Sequence, residues 1–199
     1  MIPGSDAVLQ NDVIVIGAHY DHVGYGNARN SFGPFGYIHN GADDNASGVA
    51  GLIEIVKKLA SLPNPCRRTI LIAFWDGEEQ GLLGSKYFLN NRPSCIKGKK
   101  IIFSINLDMI GRLRNDQLSV FGARSAIGLE TLITRINNRS KQSFMELVFN
   151  WEITPNSDHH PFLLANVPTV MFHTGLHPDY HRPSDDSHLV NFAGIESVL

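Results

Sequence analysis

Five short stretches of this chain each carry a strong metal ligand: His19-Tyr20-Asp21, Gly41-Ala42-Asp43-Asp44-Asn45-Ala46-Ser47-Gly48, Asp76-Gly77-Glu78-Glu79, Asn106-Leu107-Asp108 and Tyr180-His181. Together they offer two imidazoles and three carboxylates, with a spare glutamate beside one of them. Two divalent ions need such a set to activate a water for hydrolysis. Nitrogen and oxygen donors suit zinc, with cobalt or manganese as substitutes. The set contains no cysteine, which argues for an open catalytic site over a closed structural one. A carboxylate bridging two ions about 4 Å apart is the expected geometry.

Within the clusters, spacing suggests roles. Asp21 lies two residues beyond His19, and on an extended backbone the two side chains point the same way. A carboxylate there can hold the other ring nitrogen of His19 and fix its tautomer. Glu78 and Glu79 are adjacent, so their side chains diverge. One can bind metal while the other stays free to take a proton, the work of a general base with a raised pKa.

These residues must be held by rigid elements. Val13–Ala18, Thr69–Trp75, Ile101–Leu107 and Pro168–His173 are continuous apolar runs that read as strands buried on both faces. Leu118–Phe121 and Glu146–Phe149 read as weaker strands towards an edge. Between them lie helical patterns. Ala46–Ser61 puts Val49, Leu52, Ile53, Val56, Leu59 and Ala60 on one stripe, capped by Asn45 or Ser47 and stopped by Pro63. Leu82–Asn91 and Ser125–Ser140 follow, the latter with Ile127, Leu129, Leu132, Ile133 and Ile136 facing inward, and a short helix covers His159–Asn166. Alternating strands and helices imply an α/β layer structure on a largely parallel sheet. In such sheets ligands gather at the carboxyl ends of the strands, which places all five clusters on one rim. The glycine-rich stretch Gly24–Gly41, carrying Phe32, Phe35 and Tyr37, is either functional or a surface excursion.

The 199 residues suffice for one domain with a real core. An apolar fraction of 43% and a charged fraction of 18% are those of a folded soluble protein. A net charge of −2 with no basic block gives no nucleic-acid footprint, and no apolar run is long enough for a membrane segment. Cys66 and Cys95 lie in polar loops outside any CxxC pattern. They read as unpaired thiols, or as a disulfide if their loops meet.

At this point the motifs resemble those of the zinc aminopeptidases with two co-catalytic metals, the bacterial leucyl-aminopeptidase-like exopeptidases, which are related to the glutaminyl cyclases. The resemblance runs over essentially the whole chain, and rests most on Gly41–Gly48, Asp76–Ser85, Asn106–Arg112 and His177–Asp185. It implies a single zinc exopeptidase catalytic domain over residues 1–199. The implied fold is three-layer α/β/α, phosphorylase/hydrolase-like, with a mostly parallel mixed central sheet. It implies Asp44, rather than Asp43, as the bridging carboxylate, with one zinc held by Asp44, Glu79 and His181 and the other by Asp44, His19 and Asp108. Glu78 takes the general-base role on a water bridging two zinc ions, Asp21 is counted with the catalytic residues through its hold on His19, and Tyr180 is a candidate for polarising the scissile carbonyl of a peptide or small aminoacyl substrate. An Asp44–Asn45 cis bond is also implied. Asp158 is a candidate to stand behind the ligands or touch substrate, whereas His159 and His160 read as helix-start residues. His22, His39, His173, His177 and His188 receive no role. Phe144, Phe149, Trp151 and Phe162 are offered for an apolar pocket around the first side chain. Rival readings are a glutaminyl-cyclase-like enzyme with one zinc and a non-catalytic binding ectodomain. Both ends of the chain read as cut from a longer protein, and the family suggests a periplasmic or secreted home. Self-association is not legible.

Overall fold

The apolar, β-branched runs become strands of one six-stranded sheet, in the order β2-β1-β3-β6-β4-β5. A computed structural model describes residues 1–139, 144–152 and 154–199 of the chain. β1 (Asp12–His19), β2 (Thr69–Trp75), β3 (Lys100–Leu107) and β6 (Thr169–His173) form its parallel part, with His19 opposite Trp75 and Leu107 opposite Phe172. β4 (Gln117–Phe121) runs antiparallel to β6, and β5 (Glu146–Asn150) forms the edge beside it. The sheet is therefore mixed and mostly parallel.

Among the described residues five α-helices flank it: α1 (Gly48–Ala60), α2 (Leu83–Asn90), α3 (Leu129–Asn137), α4 (His159–Leu164) and α5 (Phe192–Val198). Alternation along β1 divides the core. Val13 and Val15 join Leu71, Trp75 and Phe162 in one cluster, under α2 and α4. Ile14 and Ile16 point the other way, into a cluster with Leu52, Leu107, Ile110 and Ile195 from α1, β3 and α5. Each such fully buried side chain contributes roughly 1.5–3 kcal/mol through removal of apolar surface from water.

Two helices differ from their sequence reading. On α1, Gly48, Gly51 and Leu52 are the buried positions, and Ile53 and Ala60 are exposed. A Cβ at Gly51 would stand 2.7 Å from Ile110 Cδ1, and one at Gly48 2.6 Å from the carbonyl oxygen of Leu107. The helix thus approaches the sheet through its glycines, which turns the face and brings Ile55 inward in place of Ile53. α3 begins at Leu129, not Ser125, because Gly128 takes a left-handed φ of 79° and Ser125 belongs to a separate short turn. Ser140 lies outside the described residues. Leu129 is buried, but Ile127, Leu132 and Ile136 are exposed, and Ile133 and Ile136 border a groove with Leu118, Leu147 and Phe172.

The cap of α1 is Asn45: its Oδ1 accepts from the Gly48 N–H at 3.1 Å. The Asp44–Asn45 peptide bond is cis, as the family pattern implied. Cys66 and Cys95 are both free thiols. Among the described residues no helix is long and apolar enough to cross a membrane.

Candidate metal centre

Four parallel strands point their carboxyl ends at one place. His19 is the last residue of β1, Glu78 and Glu79 follow β2, Asp108 follows β3, and His181 lies in the loop after β6. Asp44 arrives from the turn that leads into α1. Residues separated by up to 162 positions thereby converge around the Asp44 carboxylate. His19 Nε2 is 3.3 Å from Asp44 Oδ1 and 3.6 Å from Asp108 Oδ1. His181 Nε2 is 3.0 Å from Asp44 Oδ2 and 3.3 Å from Glu79 Oε2. Two donor groups result, His19-Asp44-Asp108 and His22-Asp44-Glu79-His181, each with one donor atom per residue all within 4.8 Å of one another. Asp44 belongs to both. Asp43 belongs to neither, because its carboxylate turns away to accept from the Gly111 N–H at 2.6 Å.

The donor chemistry fits divalent cations. Ligand atoms around one ion with bonds of about 2.0–2.2 Å sit a little over 3 Å apart, which is the spacing seen here. Asp44, Glu78, Glu79 and Asp108 are crowded together, and among the described residues none forms an ion pair with lysine or arginine. Such a concentration of buried carboxylates calls for a compensating charge.

Protonation states report the same crowding. Burial lifts the Glu78 carboxyl to about 9; the charge of His19 opposes this, while Asp108, Asp158 and Glu79 add to it. Burial likewise lifts Asp158 to about 7, against the hydrogen bond it accepts from Ser85. Burial disfavours the charged form of His181, but the Asp44 and Glu79 carboxylates outweigh it and raise the ring to about 10. His19 is raised in the same way, burial being outweighed by Asp108, Asp21 and Asp44. For the Asp44 carboxyl, burial is overcome by His181 and His19, which hold it below the ordinary carboxylate range. Tyr180 is pushed upward by burial and then by the surrounding acids, so its hydroxyl keeps its proton.

A stability prediction follows for protein stripped of metal by a chelator. Glu78, Asp158 and His181 all bind protons more tightly folded than unfolded, so the folded state holds the excess protons and loses stability as pH rises. The window runs from the ordinary carboxylate range, near 4, to about 9 or 10. The thermal midpoint of the stripped protein is expected to fall from pH 5 to pH 9. Zinc, which requires deprotonated donors, is expected to raise the midpoint more at pH 8 than at pH 5. Scanning calorimetry over that range with and without zinc checks both; a midpoint rising with pH in the chelated protein would count against this charge arrangement.

Groups behind the donors fix their aim. His19 Nδ1 and His181 Nδ1 lie 3.0 and 2.9 Å from the backbone carbonyls of Asp21 and Asn30, which suits N–H donation from Nδ1 and a free Nε2. The expectation for Asp21 therefore changes. Its carbonyl holds His19, its carboxylate stays 3.7 Å from the ring, and the two carboxylate oxygens accept from the Glu78 and Glu79 N–H groups at 3.1 and 3.2 Å. An acid beside a tight turn of peptide N–H groups is drawn to them, and Asp21 thus sets the backbone from which both glutamates project. Ser157 donates to Asp108 Oδ2 at 2.5 Å and accepts from Asn106 at 2.7 Å. Asp185 Oδ2 accepts from the Asp43 and Asp44 N–H groups at 2.9 and 3.1 Å, and Arg112 Nη2 stands 3.3 Å from Asp185 Oδ1.

Several positions went unread in the sequence. His22 was given no role, yet its ring stands in the second donor group, and the only signal was a further imidazole three residues past His19. The sequence of the glycine-rich loop suits either a functional loop or a surface excursion. The structure shows it carrying the Asn30 carbonyl under His181 and the Phe32 ring 6.1 Å from that of Tyr180. Asp158 is buried and accepts from Ser85 Oγ at 2.5 Å. His159 and His160 do open α4. A cavity of about 470 Å³ opens over the donors, walled by Ser119, Phe121, Asn150, His173, Leu176 and Tyr180, with Glu78 also at its surface. Phe162 lies in the core instead, Phe149 and Trp151 stack on each other at 5.8 Å, and Phe144 is exposed, so none of the four apolar candidates lines that cavity.

Known proteins resemble this chain in sequence and in fold. The profile of peptidase family M28 matches residues 1–198. Aminopeptidase YwaD of Bacillus subtilis (strain 168) is 30% identical over 187 residues, covering 87% of this chain and 36% of that protein. Among solved structures, BSAP, a zinc aminopeptidase from Bacillus subtilis, superposes with a TM-score of 0.76 at 23% identity, covering 99% of this chain and 46% of the other. A Porphyromonas gingivalis glutaminyl cyclase gives the same TM-score at 21% identity, covering 94% and 70%. At these identities the two structures speak for the fold alone. The chain spans about a third of the length of its curated relative.

Proposed function

This chain belongs to peptidase family M28, and we propose that it is a metal-dependent aminopeptidase unit that cleaves the first peptide bond of its substrate at the centre described above. The observation that carries the reading is the pair of donor groups meeting on one carboxylate, Asp44. One zinc ion would be held by Asp44, Glu79 and His181 and a second by Asp44, His19 and Asp108. When bound, two such ions supply Lewis acidity at the scissile carbonyl and lower the pKa of the attacking water.

The chain's own residues do the rest. Glu78 belongs to neither donor group and borders the cavity. Ionised when cations stand beside it, this carboxylate takes the proton from the attacking water and returns it to the leaving amine, the general-base and general-acid steps of one group. Asp21 keeps Glu78 and Glu79 in place through their peptide N–H groups. Tyr180 keeps its proton and can donate to the carbonyl oxygen as negative charge develops there. The cavity receives the first residue of a peptide or small aminoacyl substrate. The names of the aminopeptidase relatives support this substrate class, and the fold neighbours support it no more than they support a cyclase.

Metal analysis and a substrate panel test the reading together. The purified protein with added zinc is expected to bind two ions per chain and to release amino-terminal residues from aminoacyl chromogenic substrates. A chelator should abolish the activity and zinc restore it. One ion per chain with pyroglutamate formation would assign a cyclase, and no bound metal would overturn the centre itself.

A further inference from the structure

His22 is the imidazole of the centre with no task in the mechanism above. Its orientation differs from that of the other two. His19 and His181 present Nε2 to the carboxylates and anchor Nδ1 on a backbone carbonyl. His22 presents Nδ1, and among the described residues its Nε2 has no hydrogen-bond partner. A ring whose far nitrogen is unanchored lacks the support that metal-binding imidazoles usually have. Nδ1 lies 2.9 Å from Glu79 Oε1, a hydrogen-bond distance, but 3.8 Å from Asp44 Oδ2. The other oxygen of Glu79, Oε2, is the one that faces His181 Nε2, at 3.3 Å.

The two oxygens of Glu79 thus have different neighbours, and the pair is shielded: the side chains of His22 and Glu79 are each 9% exposed. The His22 ring is packed on two sides. It meets the edge of His181 at a centroid separation of 5.4 Å, and a Cβ at Gly41 would stand 2.7 Å from its Cγ. Gly41, with φ of 61°, leaves the room that ring occupies.

We infer that His22 is a positioning residue: its Nδ1–H donates to Glu79 Oε1 and leaves Oε2 alone to face the cation. The inference rests on the metal-centre reading above. A hydrogen bond to a carboxylate is stronger than a neutral one, and it prevents the flexible Glu79 side chain from rotating or offering both oxygens. The influence of His22 is confined to the ion held by Asp44, Glu79 and His181. The other ion shares only Asp44 with it.

Calorimetric zinc titration of chelated wild-type protein, His22→Phe, His22→Ala and His22→Asn tests this. Phenylalanine keeps the ring volume without a donor, and asparagine places an amide N–H near the site of Nδ1 while being a poor zinc ligand. Wild type is expected to show two binding steps. In the Phe and Ala variants one step should weaken by roughly 10–100-fold, as for lost groups behind metal ligands, and the other should stay unchanged. The Asn variant should recover most of the lost affinity. An Asn variant as weak as the Phe variant would overturn the inference, since the ring nitrogen would then be a ligand itself. Wild-type affinity in the Phe variant would overturn it as well. A wild-type chain that binds no zinc would instead overturn the metal-centre reading.

Discussion

Glu78→Gln is expected to leave two zinc ions per chain and to lower kcat by roughly 10²–10⁴-fold, the usual contribution of a positioned general base. The amide matches the carboxylate in shape but cannot accept the proton of the attacking water. Glu78 stands outside both donor groups, so metal content should not change. A second readout separates chemistry from folding. The Glu78 carboxyl is raised to about 9 chiefly by burial and then by its acidic neighbours, so at pH 8 the metal-free fold must keep a proton that the unfolded chain has lost, at a cost in stability. Glutamine is neutral in both states, and the chelated Gln variant should melt at or above the wild-type temperature at pH 8. An inactive variant that is equally or more stable and fully loaded places the defect in proton transfer. Wild-type turnover would mean that the base is another group.

Asp44→Ala is expected to lose both ions together. Among the described residues no other is shared by the two donor groups, and the imidazoles of His19 and His181 both face this carboxylate. Removing one partner of a buried charged set costs about 3–5 kcal/mol, because the remaining charges stay uncompensated. Metal analysis should therefore find well under one zinc per chain. The thermal midpoint should drop even with chelator present and should no longer respond to added zinc. By contrast Asp43→Asn, one residue away, is expected to retain metal, since Asp43 serves the Gly111 N–H and lies 3.2 Å from His177 Nε2. Retention of two ions by Asp44→Ala would overturn its bridging position.

The parallel strands were legible because each is a largely apolar run rich in β-branched residues, and their carboxyl ends then dictated where His19, Glu79 and Asp108 must lie. Faces of helices were less legible. The apolar stripe on α1 pointed to Ile53, but close approach through Gly48 and Gly51 turned the helix, and a glycine contact leaves no trace in hydrophobic periodicity. Side-chain aim in loops was the least legible. Spacing placed Asp21 near His19, and nothing in spacing said that its carboxylate would prefer two peptide N–H groups to a ring. For the same reason His22 passed unread. Arg112 and Asp185 ended two recognisable motifs, and only their coordinates reveal that both serve the backbone beneath Asp44.

The anchor on the Asp44 N–H comes from a carboxylate 141 residues downstream, and the carbonyl that steadies His181 lies 151 residues before it. A polypeptide still emerging from the ribosome has the trio His19, Asp44 and Asp108 long before it owns the second imidazole. The second donor group is therefore complete only after the segment around His181 has packed against the earlier strands. During refolding from the unfolded state, that group should form with the slow kinetics of long-range contacts.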